Sequence, residues 1–331
     1  MNYIGSKQKL LGFLFASVQE SLKARGVNLA ECVFTDLFSG TAAVGRFFKG
    51  HVKQVLSNDK EFYSFVLAKH YIENTKPLKR AQMLIDKLNN LPPLAGKIYK
   101  HYALGGGEGR LYFSDTNALK IDAMRTQIQE WQSLGKISQA EYYFLLTSLL
   151  EVADKVANTA CVYGAFLKKL KKSAQQDLIL TPASLVPSHN THHAYHTDAK
   201  EIITRLKTDI LYLDPPYNQR EYGANYHLLN SIALYDNFTP KGKTGLRRYE
   251  KSAWCKKSLA YQNLEYVLKH TTARFIFLSY NNEGLLRLEE VKTLFSQYGH
   301  YERLSQTHPR FSNSPNTKEH TIEHLHVLCK G

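Results

Sequence analysis

The stretch ECVFTDLFSGTAAVGRFFKG, residues 31–50, together with VKQVLSND at 52–59, decides the fold of this chain. A short apolar strand runs into a turn of small residues, a helix follows, and a second apolar strand comes directly after it. A strand, turn, helix and strand within about 30 residues are typical of a βαβ unit in a parallel sheet. The sequence therefore predicts an α/β fold.

The remaining strands are expected far along the chain. Strand character returns at TDILYLDPPY (208–217), ARFIFLSYNNEG (273–284) and HTIEHLHVLCK (320–330). Residues 61–180 between them are mainly helical in pattern, with one long helix predicted over 139–172. The sheet is thus predicted to form from both ends of the chain, with residues 1–74 and 196–331 in one domain and 75–195 as a mainly helical insertion.

Charge and composition restrict the partners. The 331 residues include 43 Lys and Arg against 29 Asp and Glu, a net charge of +14, which favours a polyanion: nucleic acid first, an acidic membrane second. No apolar run reaches the roughly 20 residues of a membrane span, and the N-terminus lacks a signal peptide, so an intracellular protein is expected. Four scattered cysteines without CxxC spacing indicate neither a disulfide framework nor a zinc site.

The turn after the first strand is a candidate cofactor site. Gly40, Ala42 and Gly45 allow close backbone approach to a ligand, but the spacing is GxAxxG and no P-loop is present. Small residues in such a turn are equally compatible with a purely structural role. Asp59 ends the next strand, 23 positions after Asp36, where an acidic residue typically binds a ribose hydroxyl. An adenosine-containing cofactor fits this arrangement.

The segment Asp214-Pro215-Pro216-Tyr217 directly follows an apolar strand. The prolines lack amide hydrogens and fix the backbone, so the Asp214 carboxylate and the Pro215 carbonyl form a rigid pair of acceptors suited to an exocyclic amine. The Tyr217 ring can stack on a planar base. The alternative is an N-capping Asp with Pro at the first helical position. The preceding strand, the aromatic fourth residue and the Gly40 turn together favour the base pocket.

Six segments together resemble the DNA adenine N6-methyltransferases of the deoxyadenosine-methyltransferase class, in the alpha order of motifs. They are NYIGSKQKL (2–10), DLFSGTAAVG (36–45), SND (57–59), HTDAKEII (196–203), DPPY (214–217) and FLSYNNEG (277–284). VANTACVYGAFLKK (156–169) is similar as well. The resemblance implies a Rossmann-like, S-adenosylmethionine-dependent methyltransferase sheet, with 75–195 as a candidate target-recognition region.

Carried over by position, the resemblance implies the site residues. The cofactor-binding residues would be Tyr3, Gly5, Lys7, Asp36, Phe38, Gly40, Asp59 and Asp198. Among these, Asp59 would bind the ribose hydroxyls and Asp198 the adenine amino group of S-adenosylmethionine. The catalytic residues holding the target adenine would be Asp214, Pro215, Pro216 and Tyr217. Ala42 departs from the family, which usually has Gly there, and so makes close cofactor approach less favourable.

Two basic segments are candidates for phosphate contact: FLKKLKKS (166–173) and PKGKTGLRRYEKSAWCKK (240–257), the second with interleaved aromatic residues. The DNA-binding candidates are Lys168, Lys169, Lys171, Lys172, Arg247, Arg248 and Lys251. An ordinary solvated face is the alternative for the lysine run. The histidines of 189–196 are interpreted as a polar loop, with no metal site, because no Asp, Glu or Cys is suitably spaced. Ser279 and Tyr280 are compatible with the target pocket or with a plain strand end.

The predicted function is site-specific methyl transfer to the N6 amine of an adenine flipped out of duplex DNA, within a restriction-modification system. The expected partners are double-stranded DNA and a restriction endonuclease acting separately, with a monomeric enzyme in the cytoplasm. One alternative is transfer to RNA or to a protein amide, although an amide methyltransferase would more often carry Asn at position 214. The other is a nucleic-acid-binding relative without activity, against which the retained carboxylates argue.

Overall fold

The structure, a computed structural model, describes residues 5–282, 284–309 and 320–331. Its packing separates two compact units. The sheet unit comprises Gly5–Lys60, Ser188–Glu221 and Lys251–Gly331, and the helical unit comprises Glu61–Pro187 and Tyr222–Glu250. The first segment of the helical unit thus starts before residue 75 and ends before residue 195, the two limits of the predicted insertion. The unit also includes Tyr222–Glu250, which follow the Asp-Pro-Pro-Tyr segment.

One seven-stranded sheet forms the sheet unit. Its strands are β1 (Val33–Asp36), β2 (Gln54–Asp59), β3 (His193–His196), β4 (Ile210–Leu213), β5 (Phe275–Asn281), β6 (His300–Pro309) and β7 (His320–Cys329). They lie in the order β3-β2-β1-β4-β5-β7-β6; β1 to β5 are parallel, and β7 runs antiparallel to both β5 and β6. The predicted α/β class and the strands from both ends of the chain are confirmed.

Twelve α-helices occur in the described part of the chain. They are α1 (Leu11–Lys23), α2 (Ala43–Phe48), α3 (Phe62–Ala68), α4 (Ala81–Asn89), α5 (Lys97–Tyr102), α6 (Asp115–Ser133), α7 (Gln139–Val156), α8 (Ala199–Ile203), α9 (Tyr222–Asn225), α10 (His227–Leu234), α11 (Lys257–His270) and α12 (Leu288–Ser296). Short 3-10 turns occupy Lys7–Leu10, Leu29–Glu31, Leu104–Gly106, Lys172–Gln175 and Ala253–Cys255, and a π-helical turn spans Lys69–Glu73.

The central strands are apolar because both faces of the sheet are covered. All four residues of β4 are buried, as expected for a parallel strand between two helical layers. On one face α8, α11 and α12 contribute to a cluster that contains Leu211, Leu264 and Phe295. Elsewhere in the sheet α2 packs on β1 through the stacked rings of Phe34 and Phe48, whose centroids are 4.2 Å apart. This packing fixes the strand ends that carry the site.

The helix predicted over 139–172 is wrong in its second half. It starts as α7 with a capping box of Ser138 and Glu141 but ends at Val156. Asn158 explains the end, since its side chain donates to the carbonyls of Leu111 and Leu167 and accepts from the Lys171 amide. An Asn that bonds the backbone in this way competes with helical hydrogen bonding. Residues 157–171 are therefore irregular, and the lysine run does not end a helix.

Two further features are the character of the helices with respect to a membrane and the state of the cysteine thiols. Within the described ranges, no helix combines the length and apolar character needed to cross a membrane. Cys32, Cys161, Cys255 and Cys329 are all free and buried. Burial raises the pKa of the Cys32 thiol to about 11, so this group is an inert part of the core.

Candidate active site

Four aspartates stand at the carboxyl ends of four adjacent parallel strands. Asp36 and Asp59 end β1 and β2, while Asp198 and Asp214 follow β3 and β4 within two residues. The chain continues outward in opposite directions from β1 and β4, so these strands flank the point where the strand order reverses. Ligands of open α/β sheets bind at this point, outside the carboxyl ends of the strands.

Asp36 is the buried carboxylate at that point, only 1% exposed. Its Oδ2 accepts a hydrogen bond from the Gly45 amide at 3.1 Å, whereas its Oδ1 has no partner in the described structure. Burial, aided by the charges of Asp214 and Asp59, raises the pKa of this carboxyl to about 7, against the opposing effects of the Gly45 amide and Lys7. An unpartnered buried carboxylate oxygen is a position where a ligand donor is expected.

The turn between β1 and α2 is fixed by a second carboxylate. The Gly40 amide donates to Asp59 Oδ2 at 2.7 Å. Gly40 and Ala42 both have left-handed backbones, with φ angles of 50° and 60°. For alanine this conformation costs about 1–2 kcal/mol relative to glycine. The turn nevertheless forms, so the alanine changes the local strain and not the backbone path.

Asp198 and Phe38 are two more of the residues that the resemblance assigns to the cofactor. Asp198 follows β3, caps α8 by accepting from the Lys200 amide at 2.9 Å, and is 40% exposed. Phe38 is half-buried and lies edge-on to Trp254, with ring centroids 5.0 Å apart. Trp254 was assigned to a DNA-contacting segment by sequence, but it is buried and supports Phe38.

Lys7 joins the N-terminal segment to the catalytic candidate. Its ammonium donates to Asp214 Oδ1 at 2.8 Å and to the Gly5 carbonyl at 3.2 Å, and it lies 3.3 Å from Glu323 Oε1. Burial lowers the Lys7 pKa, but the two carboxylates outweigh burial and hold it well above its usual value. Burial, aided by the charge of Glu323 and opposed by Lys7, raises the pKa of Asp214 to about 6. Sequence reasoning missed Glu323, although an acidic residue in an apolar strand was a usable signal.

The other acceptors of the segment remain available. Among the described residues, no group donates a hydrogen bond to Asp214 Oδ2 or to the Pro215 carbonyl. Pro215 is buried and Pro216 is half-buried. The half-buried Tyr217 is held at its backbone, whose carbonyl accepts from Leu285, and the Lys7 ammonium lies 5.9 Å from the centroid of its ring. The structure thus brings together the rigid acceptor pair and the aromatic ring that the sequence predicted.

Residues of β5 support this pocket from behind. Ser279 is fully buried and accepts from the Tyr212 hydroxyl at 2.9 Å. Tyr280 is buried, and its ring lies edge-on to Tyr217 with centroids 6.3 Å apart. A Cβ on Gly284 would come within 2.0 Å of Tyr280 Cε1, so the Tyr280 ring can adopt this position only because residue 284 has no side chain. Both Ser279 and Tyr280 therefore act as packing partners of the site.

Comparison with known proteins settles the family. The sequence pattern of the D12 class of N6 adenine-specific DNA methyltransferases matches residues 3–294. The chain belongs to this family. It is 51% identical to the Type II methyltransferase M.NlaIII of Neisseria lactamica, over 100% of this chain and 99% of that relative. It is 36% identical to the Type II methyltransferase M.CviAII of Paramecium bursaria Chlorella virus 1, over 94% of this chain and 92% of the relative. The predicted resemblance, enzyme class and adenine target in DNA are confirmed.

A third relative is about twice as long as the part of it that matches this chain. The Type II methyltransferase M.FokI of Planomicrobium okeanokoites is 36% identical over 90% of this chain but only 47% of its own length. The D12-class unit described here is thus similar to about half of that protein. The family is described as adenine-specific and acting on DNA. It therefore gives no support to RNA or a protein amide, the alternative targets in the sequence analysis.

The basic residues of this D12-class methyltransferase differ in their exposure. Lys168, Lys169, Lys172, Arg248 and Lys251 are exposed. Lys171 is partly buried and its ammonium donates to the Thr159 carbonyl at 2.7 Å. Arg247 requires a correction, because it is 8% exposed, pairs with Asp236 at 2.9 Å and lies over the Phe238 ring. Its guanidinium is used inside the protein and is not placed to contact DNA.

Two of the histidines of 189–196, His193 and His196, lie in β3, so their assignment to a loop is wrong, whereas His189 and His192 precede the strand. His192 Nδ1 accepts from the Val55 amide at 2.9 Å. In the described ranges no three His, Cys, Asp or Glu side chains are grouped to hold a metal. The sequence did not predict β3 because it is a four-residue edge strand with a histidine at each end, and so short a polar segment resembles a loop. Tyr3, expected in the cofactor site, lies outside the described residues.

Proposed function

We propose that this enzyme transfers a methyl group from S-adenosylmethionine to the N6 amine of one adenine flipped out of duplex DNA, with Asp214 and the Pro215 carbonyl as the acceptors of the amine hydrogens. One observation carries the proposal. Lys7 occupies Asp214 Oδ1, while Oδ2 and the Pro215 carbonyl have no donor among the described residues. A primary amine with two hydrogens satisfies two such acceptors.

The chemistry follows from positioning. By accepting both N–H groups, the two oxygens would draw the nitrogen lone pair out of conjugation with the ring and direct it away from the protein. Lys7 fixes the carboxylate orientation through a charge-assisted bond. Tyr217 would stack on the flipped base and offset part of the few kcal/mol that unstacking costs. No nucleophile of the chain is needed, and no covalent intermediate forms.

The residues at the carboxyl edge fit the proposed cofactor. When bound, S-adenosylmethionine supplies the methyl group on a sulfonium cation. Asp36, Asp214 and Glu323 interact with the one buried lysine, Lys7, and Asp59 and Asp198 stand at the neighbouring strand ends, Asp198 with Lys60 at 4.0 Å. Carboxylates outnumber ammonium groups here, so a cation would be favoured. From β3 to β4 there are three strand spacings, about 14 Å, which is room for an elongated ligand. Asp59 would bind the ribose hydroxyls and Asp198 the adenine amine, with Gly5, Lys7, Phe38 and Gly40 around them.

The unpartnered Asp36 Oδ1 is the clearest point of fit. A buried carboxylate oxygen without a donor would accept from an ammonium or hydroxyl group of the cofactor. Because a cation beside it would lower the Asp36 pKa, cofactor binding and ionisation of this group would assist each other. Tyr3 remains assigned to the cofactor by resemblance alone.

For DNA we propose contacts from the exposed residues Lys168, Lys169, Lys172, Arg248 and Lys251. In the helical unit the turn before Arg248 is held rigidly: Lys241 and Leu246 exchange both backbone hydrogen bonds, and Arg110 donates to the carbonyls of Gly242 and Lys243. With its carbonyls turned inward, the turn leaves Lys241 and Lys243 exposed. A rigid basic turn loses little entropy on binding a phosphate backbone.

We further propose that the enzyme is the modification component of a restriction-modification system, acting as a cytoplasmic monomer while a separate endonuclease cleaves the unmodified site. The names of its relatives, Type II methyltransferases and modification methylases, support this context. The predicted insertion 75–195 remains the proposed target-recognition region, and the packing of residues 222–250 with the helical unit extends it.

The test is incubation of the purified protein with tritiated S-adenosylmethionine and unmethylated genomic DNA, followed by nucleoside analysis. Label in N6-methyladenine at one short sequence is the expected result. Label in cytosine, or an unlabelled DNA with bound cofactor, would contradict the proposal. RNA in a parallel reaction serves as the matched negative substrate.

A further inference from the structure

Glu323 is the least expected member of the charged group at the site. It lies on β7, opposite Asn281 of β5 and Gln306 of β6, and it is 5% exposed. It also lies beyond residues 3–294, the part of the chain that matches the family pattern. A buried carboxylate on an antiparallel strand is costly unless it is paired. Its partner is the Lys7 ammonium at 3.3 Å.

The pairing connects three separate parts of the sheet unit. Lys7 comes from the N-terminal segment, Asp214 follows β4 and Glu323 stands on β7. Lys7 is 4% exposed, so it has few alternative positions for its ammonium group. Its ammonium donates to Asp214 Oδ1 and to the Gly5 carbonyl and forms an ion pair with Glu323 Oε1 at 3.3 Å. Two hydrogen bonds and two carboxylate charges therefore hold the position of the ammonium group.

We propose that Glu323 is a positioning residue for methyl transfer: it anchors Lys7 so that Lys7 holds Asp214 Oδ1 and leaves Oδ2 for the target amine. This inference rests on the proposed function of Asp214. Without Glu323, the flexible four-carbon stem of Lys7 would let the ammonium move and the carboxylate rotate. The reacting nitrogen would then be misplaced, and small misplacements in a positioned site reduce the rate strongly.

Glu323 also sets the charge that Asp214 experiences. Its negative charge raises the Asp214 pKa, so its removal lowers that pKa. Further titratable groups interact with Asp214, Lys7 or Glu323: Asp36, Tyr212, Tyr217, His324 and His326. Burial lowers the pKa of both histidines, that of His326 to about 3, so they are neutral above pH 7. Asp36, whose pKa is about 7, is present in the parent and in the Glu323 variants, so its titration contributes to the pH profile of each.

The experiment compares the parent full-length enzyme with Glu323→Ala and Glu323→Gln in single-turnover methylation of duplex DNA across pH 5 to 9. Glu302→Gln is the matched control, since it removes one carboxylate from an exposed position of the neighbouring strand β6. Asp214→Ala is included to test the underlying function. Melting temperature and DNA affinity are measured for every variant.

We expect Glu323→Ala to lower the rate roughly tenfold to a hundredfold with unchanged DNA affinity. Glu323→Gln should lie between it and the parent, because the amide keeps the volume and a polar oxygen beside Lys7 but loses the charge of the ion pair. The acid limb of the Glu323→Gln profile should move to lower pH, a change that a purely structural role would not produce. Rates within twofold of the parent, or a slower enzyme with an unmoved acid limb, would overturn the inference. If Asp214→Ala itself retains activity within tenfold of the parent, the proposed function fails instead.

Discussion

Replacing Asp36 by Asn should stabilise the protein, and the gain should depend on pH. The pKa of this buried carboxyl rises from 3.8 to about 7. Each unit corresponds to about 1.4 kcal/mol, so ionised Asp36 destabilises the fold by roughly 4 kcal/mol. Between the two pKa values the folded state keeps a proton that the unfolded state has released. The parent therefore loses stability relative to the Asn variant as pH rises, and the difference levels off above about pH 7.

The measurement is urea unfolding of the parent and Asp36→Asn without cofactor at pH 5 and pH 8. The variant should be more stable by about 1–2 kcal/mol at pH 5 and by about 4 kcal/mol at pH 8. Asp209→Asn is a suitable control, since Asp209 is an exposed carboxylate of the same sheet unit that accepts from the Val33 amide. An Asn variant that is less stable at pH 8, or a difference that does not grow with pH, would refute the reasoning. The variant should also bind S-adenosylmethionine more weakly.

Five further substitutions test the surroundings of the site and the proposed DNA contacts. Ala42→Gly should change the free energy of unfolding by less than about 1 kcal/mol, because relief of the left-handed strain offsets the lost buried methyl, whereas Ala42→Val should cost more than about 2 kcal/mol in urea unfolding. Gly284→Ala should slow methyl transfer by displacing Tyr280, without loss of helix content in circular dichroism. Arg248→Ala should weaken DNA binding and reduce the salt slope by about 1 in titrations at several ionic strengths, whereas Arg247→Ala should mainly lower the melting temperature. Equal effects of the two arginine variants on the salt slope would contradict the assignment of Arg247 to the interior.

Local chemistry allowed the central part of the sheet to be predicted. β1, β2 and β4 are short, mostly buried strands that end in an aspartate or are followed directly by one. A short apolar segment of this kind is typical of a parallel strand covered on both faces. β3 and β6 were missed because they are edge strands with many polar residues, whose pairing comes from their neighbours. The long helix was overextended because periodicity does not register an Asn158 that bonds the backbone of a distant loop.

The same distinction applies to the site. Asp214, Pro215 and Tyr217 carry their chemistry in consecutive residues, so the sequence was sufficient to select them. Glu323 is 109 positions from Asp214, and only the pairing of β7 with β5 brings it to Lys7. The sequence could not distinguish Arg247 from the adjacent Arg248, so both were predicted to contact DNA. The structure distinguishes them, because Arg247 is buried and paired with Asp236.

Methyl transfer is expected to depend most on Asp214. Single-turnover formation of N6-methyladenine in duplex DNA by the parent and by Asp214→Ala tests this most directly, with S-adenosylmethionine and DNA affinities measured on the same preparations. The Ala variant is predicted to bind both with affinities close to those of the parent and to form no detectable product. A variant that still methylates adenine within tenfold of the parent rate would contradict the central claim.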